Sequence, residues 1–505
     1  MHRNLATLSA SMLLTGCATI ASQSSAFSTL RQVGEVDERY LSYNVEMVEV
    51  TGGRFWRPYG SAGTERYEYR PPLDLTDGKL RRLAAALAPA YVRVSGTWAN
   101  ATWFADTDEP PEKAPAGFDT VLTRQQWRGV VDFTRAVDGK IVTSVATSPG
   151  TRDANGIWQP DMSARLFAYT RSIGGTIAAS EFANEPNMLW LTQPPAGYTA
   201  AAYRRDYARF AGWLRQTSPG TALLAPGVAE LGEPTRTIAR RNKERVILEA
   251  DQLITADSPR PDGFSFHYYG GGSVRCGGAA LGMTVENALS PKWLNGVDAI
   301  VTDVVKLRDQ VAPGVPLWNT ESAESSCGGN PWAATFADSF RFVDTLGRSA
   351  LQGVHVYIHN TLSASDYALL EEHGNVPRPN YWAAVLWKRT MGTTVLAAPA
   401  SPAPDLRLYA HCSVDRKGGV TLVAVNIGDS AQVVPVGERA QSWVLQSANG
   451  SLDTKAIQIN GHRPRADDAG ELYGLEGAPV SGTISVPGKA IAFVKVTNAG
   501  NPNCR

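Results

Sequence analysis

The sequence has no surplus of charge of either sign: 48 Lys and Arg stand against 48 Asp and Glu in 505 residues. Proteins that hold nucleic acid usually carry a basic excess, so that partner class drops out. A polyanion held across a broad basic face is disfavoured too, although a local basic groove can hide inside a neutral total. Beyond the N-terminus no run approaches the ~18 consecutive apolar positions of a membrane-spanning helix. Cysteine is scarce, at 5 residues, and no CxxC or clustered His/Cys spacing marks a zinc site, so no metal is expected. No Gly-rich dinucleotide fingerprint follows any apolar run, and no nucleotide cofactor is expected. There is no internal repeat.

The N-terminus reads as an export signal. Arg3 gives a positive start, Leu5–Thr15 is mostly apolar or small, and Leu14-Thr15-Gly16-Cys17 follows. Such a stretch is too short to span a bilayer and fits a cleaved signal. A cysteine directly after Leu-Thr-Gly resembles a bacterial lipobox, which predicts lipidation of Cys17 and a Ser-rich tether over Ser22–Ser28. The plain alternative is an ordinary signal containing a chance cysteine. The expected location is the bacterial periplasm or outer surface, or free secretion, with membrane contact only through the anchor. Export permits disulfides among Cys276, Cys327, Cys412 and Cys504. Three pairings exist in principle. We favour 412–504, both within the C-terminal β region, and 276–327, each following a candidate strand near a Gly-Gly pair.

Hydrophobic residues make up 43% of the chain, enough for a sizeable core. Candidate strands are Leu41–Val50, Tyr91–Gly96, Lys140–Thr147, Ile177–Asn184, Ala222–Ala229, Gly263–Tyr269, Val315–Glu321 and Val354–Asn360. Between them lie helical stretches such as Lys79–Ala88, Arg124–Ala136, Ser163–Ile173, Ala200–Gln216, Val297–Val311 and Thr335–Leu351. Alternation of this kind predicts βα units and a parallel sheet, and eight units is the number that closes a (β/α)8 TIM barrel. An open doubly wound sheet is the rival. After about Leu396 helical periodicity stops, and short strands appear at Leu406–Val414, Val420–Ile427, Ser442–Gln446, Ala456–Ile459 and Ile491–Val496. The expected architecture is therefore α/β: signal and tether over 1–28, barrel over 29–395 and a C-terminal β-sandwich over 396–505. Phe27–Tyr40 is a candidate extra strand of the sandwich. Asp106–Ala116, rich in Pro and acid, reads as a surface loop.

Barrel enzymes place reactive side chains at the C-terminal ends of strands. Glu185 stands there in Asn184-Glu185-Pro186-Asn187, after the fourth candidate strand, and Glu321 ends the seventh. Pro186 stops strand pairing and leaves Glu185 at the rim. Cleaving a glycosidic bond needs a proton for the leaving oxygen and charge to meet an oxocarbenium-like transition state, which two facing carboxyls supply. Glu185 is the expected general acid/base and Glu321 the expected nucleophile. Glu324 competes with Glu321 but reads as a loop charge or cap, and Glu181, deeper on the Glu185 face, reads as a supporting carboxylate. Asn184 can hydrogen-bond a sugar hydroxyl. His267 is either a hydrogen-bonded core residue or a substrate ligand; Tyr269 can donate to the nucleophile. The Gly270–Gly272 and Gly328–Gly329 turns either offer backbone N–H groups to an anion or are plain tight turns. Asn380-Tyr381-Trp382 reads as a helix start with core aromatics.

These residues resemble glycoside hydrolase family 79, the heparanase-like β-glucuronidases, over nearly the whole mature chain. The likeness rests on Leu80–Arg93 with Gly96-Thr97, on Asn184–Asn187, on Trp318–Glu321 with Gly328, Gly329 and Pro331 and the run Thr335–Gly347, and on Asp405–Cys412 with a partner at Cys504. It implies a retaining barrel-clan glycosidase acting on β-linked glucuronic acid in a carbohydrate substrate, without a cofactor. It further implies that Tyr381 and the Gly328 backbone contact the sugar carboxylate, that Glu46, on the first strand, contacts sugar hydroxyls, and that His267 contacts substrate; Thr97 is carried with its motif. Ser326 and Cys327 depart from the family's usual Tyr and Gly, which puts carboxylate recognition in doubt. Arg275 is one candidate for sulfate. The long excisable linker of some members is missing, so proteolytic activation is not implied. The alternatives are another barrel-clan retaining glycosidase of arabinofuranosidase or xylosidase type, an endo-acting heparanase on heparan-type chains, and a catalytically dead lectin.

Overall fold

The computed structural model describes residues 26–189, 194–230 and 247–505. Cys17 and the export segment lie outside the described residues. Among the described residues, no helix is long and apolar enough to cross a membrane.

Eight parallel strands close into a barrel. They are Leu41–Asn44, Ala90–Val94, Gly139–Ser144, Ile177–Glu181, Ala222–Glu230, Gly263–Tyr269, Leu317–Ala323 and Val354–His359, numbered here one to eight. Strand eight pairs with strand one, Tyr357 opposite Leu41, so the open-sheet rival is excluded. Side chains alternate along each strand. Tyr91, Val142, Ala179, Leu224, Trp318 and Val356 form a dry plug inside the ring. Two positions further along the same face stand Arg93, Glu181 and Thr320, all buried. A polar layer thus sits directly on an apolar floor at the C-terminal mouth.

The helices form where apolar periodicity and caps coincide. Arg124–Ala136 opens on a reciprocal box between Thr123 and Gln126 and buries Trp127, Val130, Val131 and Phe133. Strand one stops at Asn44, short of the expected Val50, because residues Met47–Thr51 turn into a helix capped by Glu46. Glu46 therefore stands just past strand one rather than on it. Strand four likewise ends at Glu181, and Glu185 lies in the turn beyond.

The second unit is an eight-stranded antiparallel sheet. It begins at Met391–Leu396, ahead of the expected boundary at 396; this strand pairs with Leu406–Ser413 on one side and with Gln32–Glu35 on the other. The long strand Gln432–Ser447 shifts register at Gly437, which bends it between partners. One face packs Leu406, Leu422, Ala424 and Val494 around Phe27, with Cys412 and Cys504 bridged in the same cluster. The other face, with Tyr409, Val423, Val425 and Phe493, joins the barrel's own core. Tyr409 presses on Gly347 of helix Phe336–Leu351, where any Cβ would overlap its ring. The Cys276–Cys327 bridge ties the loops that follow strands six and seven.

Candidate active site

The polar layer is assembled from strands two, four, six and seven. Strand six turns His267 and Tyr269 inward. Strand seven shifts register against strand six between Phe266 and His267, so that Asn319 and Glu321 rather than consecutive residues face them. A bulge of this kind re-aims a side chain. Here it lets neighbouring Thr320 and Glu321 both reach the interior, Thr320 donating to Glu181 at 2.8 Å.

Arg93 is the hub. It is fully buried, pairs with Glu181 and Glu321 at 2.9 Å each, and donates to Asn184 Oδ1 at 2.8 Å. Its Nη2 also lies 3.2 Å from His267 Nε2. A guanidinium can only donate, so Nε2 is the accepting nitrogen and Nδ1 carries the imidazole proton. That proton points at Glu185 Oε1, 3.1 Å away. Burial holds the His267 ring down to about 4, with Glu321 pulling the other way, so the ring is neutral at ordinary pH. With both nitrogens engaged, His267 positions Glu185 and has none left for a sugar; this corrects the substrate-ligand expectation.

The two carboxyls have different surroundings. Glu321 accepts from Arg93 on one oxygen and from Tyr269 Oη on the other, and Asn360 donates to that hydroxyl at 2.9 Å. Burial and then the Glu321 charge raise Tyr269 well above its usual range, so it keeps the proton it donates. This donor set suits an anion. Among the described residues, Glu185 has no cationic hydrogen-bond donor. Burial pushes its carboxyl up to about 7, against Arg93 and with Glu181 adding to the rise. Glu181 itself would be raised by burial, but Arg93, His267 and Thr320 together hold it below the usual range. One oxygen of Glu185, one of Glu321 and a His267 nitrogen lie within 4.8 Å of one another. That trio has the reach of a metal site, but Arg93 already supplies a fixed cation against Glu321. The spacing is instead near the ~5–5.5 Å of a retaining carboxyl pair.

Glu185 is held in place by backbone clamps. Its own φ is +49°, in the left-handed region that non-glycine residues adopt at a cost of roughly 1–3 kcal/mol. Asn100 grips Asn184 both ways, accepting its N–H at 3.0 Å and donating to its carbonyl at 2.9 Å. Asn187 does the same to Ala229 of strand five, at 2.8 and 3.0 Å. The Glu185 N–H donates to the Gly227 carbonyl at 3.0 Å.

No family model matches the chain. Heparanase-like protein 1 of Arabidopsis thaliana is 30% identical over 241 residues, 40% of this chain and 44% of that protein, so the matched stretch spans under half of the relative. Heparanase of Mus musculus is 24% identical over 542 residues, covering 95% of this chain and 94% of its own. Hyaluronoglucuronidase of Hirudo nipponia is 24% identical over 477 residues, covering 86% and 92%. Over nearly its whole length the chain is thus similar to heparanases, at 24% identity. Among solved structures, a 4-O-α-L-rhamnosyl-β-D-glucuronidase from Fusarium oxysporum 12S superposes with a TM-score of 0.60 at 13% identity, covering 92% of this chain and 97% of its own, which speaks for the fold.

The chain departs from several residue-by-residue expectations. Tyr381 is fully buried in the first turn of helix Pro379–Thr390, and its hydroxyl donates to the Leu83 carbonyl at 2.9 Å. It packs the barrel wall, as its helix-start pattern suggests, and does not reach the sugar site. A second tyrosine at the site beside Tyr269 is Tyr367, which sequence reasoning missed: Asn360 donates to it at 3.2 Å, and its backbone lies against Gly329. Thr97 opens a short helical turn, but the link from that turn to the site runs through Asn100. Glu324 is buried in its own loop, accepting from Asn330 and Ser325, and burial with Asp338 raises it to about 7. Arg275 pairs with Asp366 at 2.8 Å and is not free for sulfate.

Other expectations meet the geometry more directly. Glu46 is buried against Gly96, where a Cβ would overlap its carboxylate. Its Oε2 has no partner among the described residues, and burial with the Glu321 charge raises its carboxyl well above the usual range. Cys327, Gly328 and Gly329 follow one another with φ of +62°, +80° and +84°. None of their N–H groups donates to another described residue, which leaves them available to an acceptor. Arg93 and Asn100, like Tyr367, were missed as site residues. Arg93 had a signal: a lone cation inside the otherwise apolar run Ala90–Val94.

Proposed function

We propose that this chain is a retaining β-glucuronidase that hydrolyses β-linked glucuronic acid from glucuronides or uronic-acid glycans. The observation that carries it is the facing pair Glu185 and Glu321, close together yet set in opposite electrostatic surroundings. Two carboxyls with divergent environments divide into acid and nucleophile. In the first step a Glu321 oxygen bonds to the anomeric carbon, the glycosidic C–O bond breaks, and the Glu185 proton goes to the leaving oxygen. In the second, water attacks the same carbon, Glu185 takes a water proton, and the bond to Glu321 breaks. The net anomeric configuration is retained.

The acidic sugar is supported by the backbone N–H groups of Cys327–Gly329, which donate to no other described residue. Glu46, with its unpartnered oxygen, suits a sugar hydroxyl. The names heparanase and hyaluronoglucuronidase borne by two relatives point to the same kind of substrate. Export belongs to this reading and is supported by Leu14–Cys17 and by the two disulfides. Loss of labelled-lipid incorporation in Cys17→Ser would test the anchor.

The deciding experiment is a panel of aryl β-glucuronide, β-xyloside and α-arabinofuranoside, with the product anomer followed by NMR. Glucuronide turnover releasing the β-anomer first is expected. Turnover of the xyloside or arabinofuranoside without the glucuronide would overturn the proposal.

A further inference from the structure

A hairpin follows strand one, Gly53–Trp56 paired with Tyr67–Arg70. Its connecting loop contacts the loops that follow strands six and eight. Tyr59 Oη shares a hydrogen bond with Ser273 Oγ at 2.8 Å, on the loop after strand six. The Tyr59 N–H donates to Asp366 at 3.2 Å, on the loop after strand eight. Arg275 locks the junction: its guanidinium stands 4.0 Å from the Tyr59 ring centroid, pairs with Asp366, and donates to the Arg57 carbonyl. The loops after strands six and seven are joined in turn by a bridge at Gly272 and Ser326 and by Cys276–Cys327.

Strands six, seven, eight and one are consecutive around the ring. The hairpin from strand one therefore spans the loops of strands seven and eight to reach that of strand six, and all four are cross-linked. Glu321 lies within this half of the ring, on strand seven; Glu185 lies outside it, past strand four. The reaction fixes which end of the sugar faces which side. Glu321 takes the anomeric carbon from the face opposite the leaving oxygen, and Glu185 protonates that oxygen, so the leaving chain departs on the side of strand four. In an equatorial β-pyranoside O1 and O4 point in opposite directions. The O4 end of the bound residue then faces the cross-linked half of the ring.

We infer that the hairpin, pinned by Tyr59 and Arg275, seals the glycone end of the cleft, so that the enzyme removes only a chain-terminal uronic acid and does not cut within a chain. The inference rests on the glucuronidase reading and specifies its substrate: a glycan or glucuronide with an unsubstituted non-reducing uronic acid. At the junction Arg275 and Asp366 are paired with each other, so neither is left for a sugar.

The test compares product sizes from a tetrasaccharide ending in β-linked glucuronic acid and from the same chain carrying one more sugar on O4 of that acid. The first should lose one monosaccharide and stop at the next residue. The second should react at under ~1% of the first chain's rate, as expected when closure rejects a substrate by collision. Fragments of two or more sugars from the capped chain would overturn the inference. An aryl β-glucuronide run alongside separates the two claims. If it is hydrolysed while the capped chain is cut internally, the wall alone is wrong; if it is not hydrolysed, the glucuronidase reading fails and the inference with it. Tyr59→Ala combined with Arg275→Ala unhooks the hairpin. In the folded variant capped-chain hydrolysis should rise at least ~10-fold, and no rise would count against the hairpin as the closing element.

Discussion

Glu185 must carry its proton into the first step, and burial raises it to about 7. The protonated fraction is high below that value and is lost above it. For a substrate with a poor leaving group, kcat/KM should therefore fall as pH rises through about 7, which a pH–rate profile on an alkyl glucuronide would read. The same logic predicts an uneven effect of Glu185→Ala. With an alkyl leaving group the rate should drop roughly 10²–10⁴-fold, the usual range for removing a general acid. With a strongly activated aryl leaving group, which departs without a proton, the first step should hardly change; equal losses on both substrates would exclude the assignment. At this scale the sequence discloses a carboxyl whose neighbours announce a strand end, as Glu185 and Glu321 do. It does not disclose partners that meet only on folding. Arg93 lies far from Glu321 along the chain, and only closure of the ring brings them to 2.9 Å. Tyr381 fails for the complementary reason: the helix that begins at Pro379 turns its ring into the wall.

The element that matters most is the turn after strand four. Two asparagines replace missing strand pairing by gripping backbone in both directions, and so hold Glu185 in a conformation it would not choose alone. Asn187→Ala removes two hydrogen bonds and strands the buried N–H and C=O of Ala229, at a cost of about 1–3 kcal/mol per unsatisfied group. We expect a lower Tm and a fall in kcat that exceeds any change in KM, because the acid loses its aim while the sugar contacts remain. A variant with unaltered kcat would show that Pro186 and the Gly227 carbonyl suffice. Strands and helices of the barrel are legible in the sequence because apolar period switches between 2 and 3.6. Helix Arg124–Ala136 is found to the residue. The hairpin Gly53–Arg70 is not legible: it has little apolar alternation, and its place depends on Ser273 and Asp366, on loops much later in the chain.

For the whole molecule, barrel and sheet share a core rather than a linker. Asp344, fully buried, accepts from Arg348 at 2.9 Å within helix Phe336–Leu351 and from Arg407 and Tyr409 across the junction. Asp344→Ala leaves these donors facing one another without an acceptor. Breaking a buried ionic cluster in this way typically costs about 3–5 kcal/mol. Calorimetry should show one cooperative transition moved to lower temperature; two separated transitions would mean that the units unfold independently. The same joining has a consequence for how the protein is made. Strand Gln32–Glu35 finds its partner only at Met391–Leu396, strand one closes the ring only against strand eight, and Asn501 reaches back to hold the carbonyls of Phe27 and Leu30. A growing polypeptide therefore leaves the ribosome with Gln32–Glu35 unpaired until Met391–Leu396 arrives, and the ring stays open until Val354–His359 can meet Leu41–Asn44.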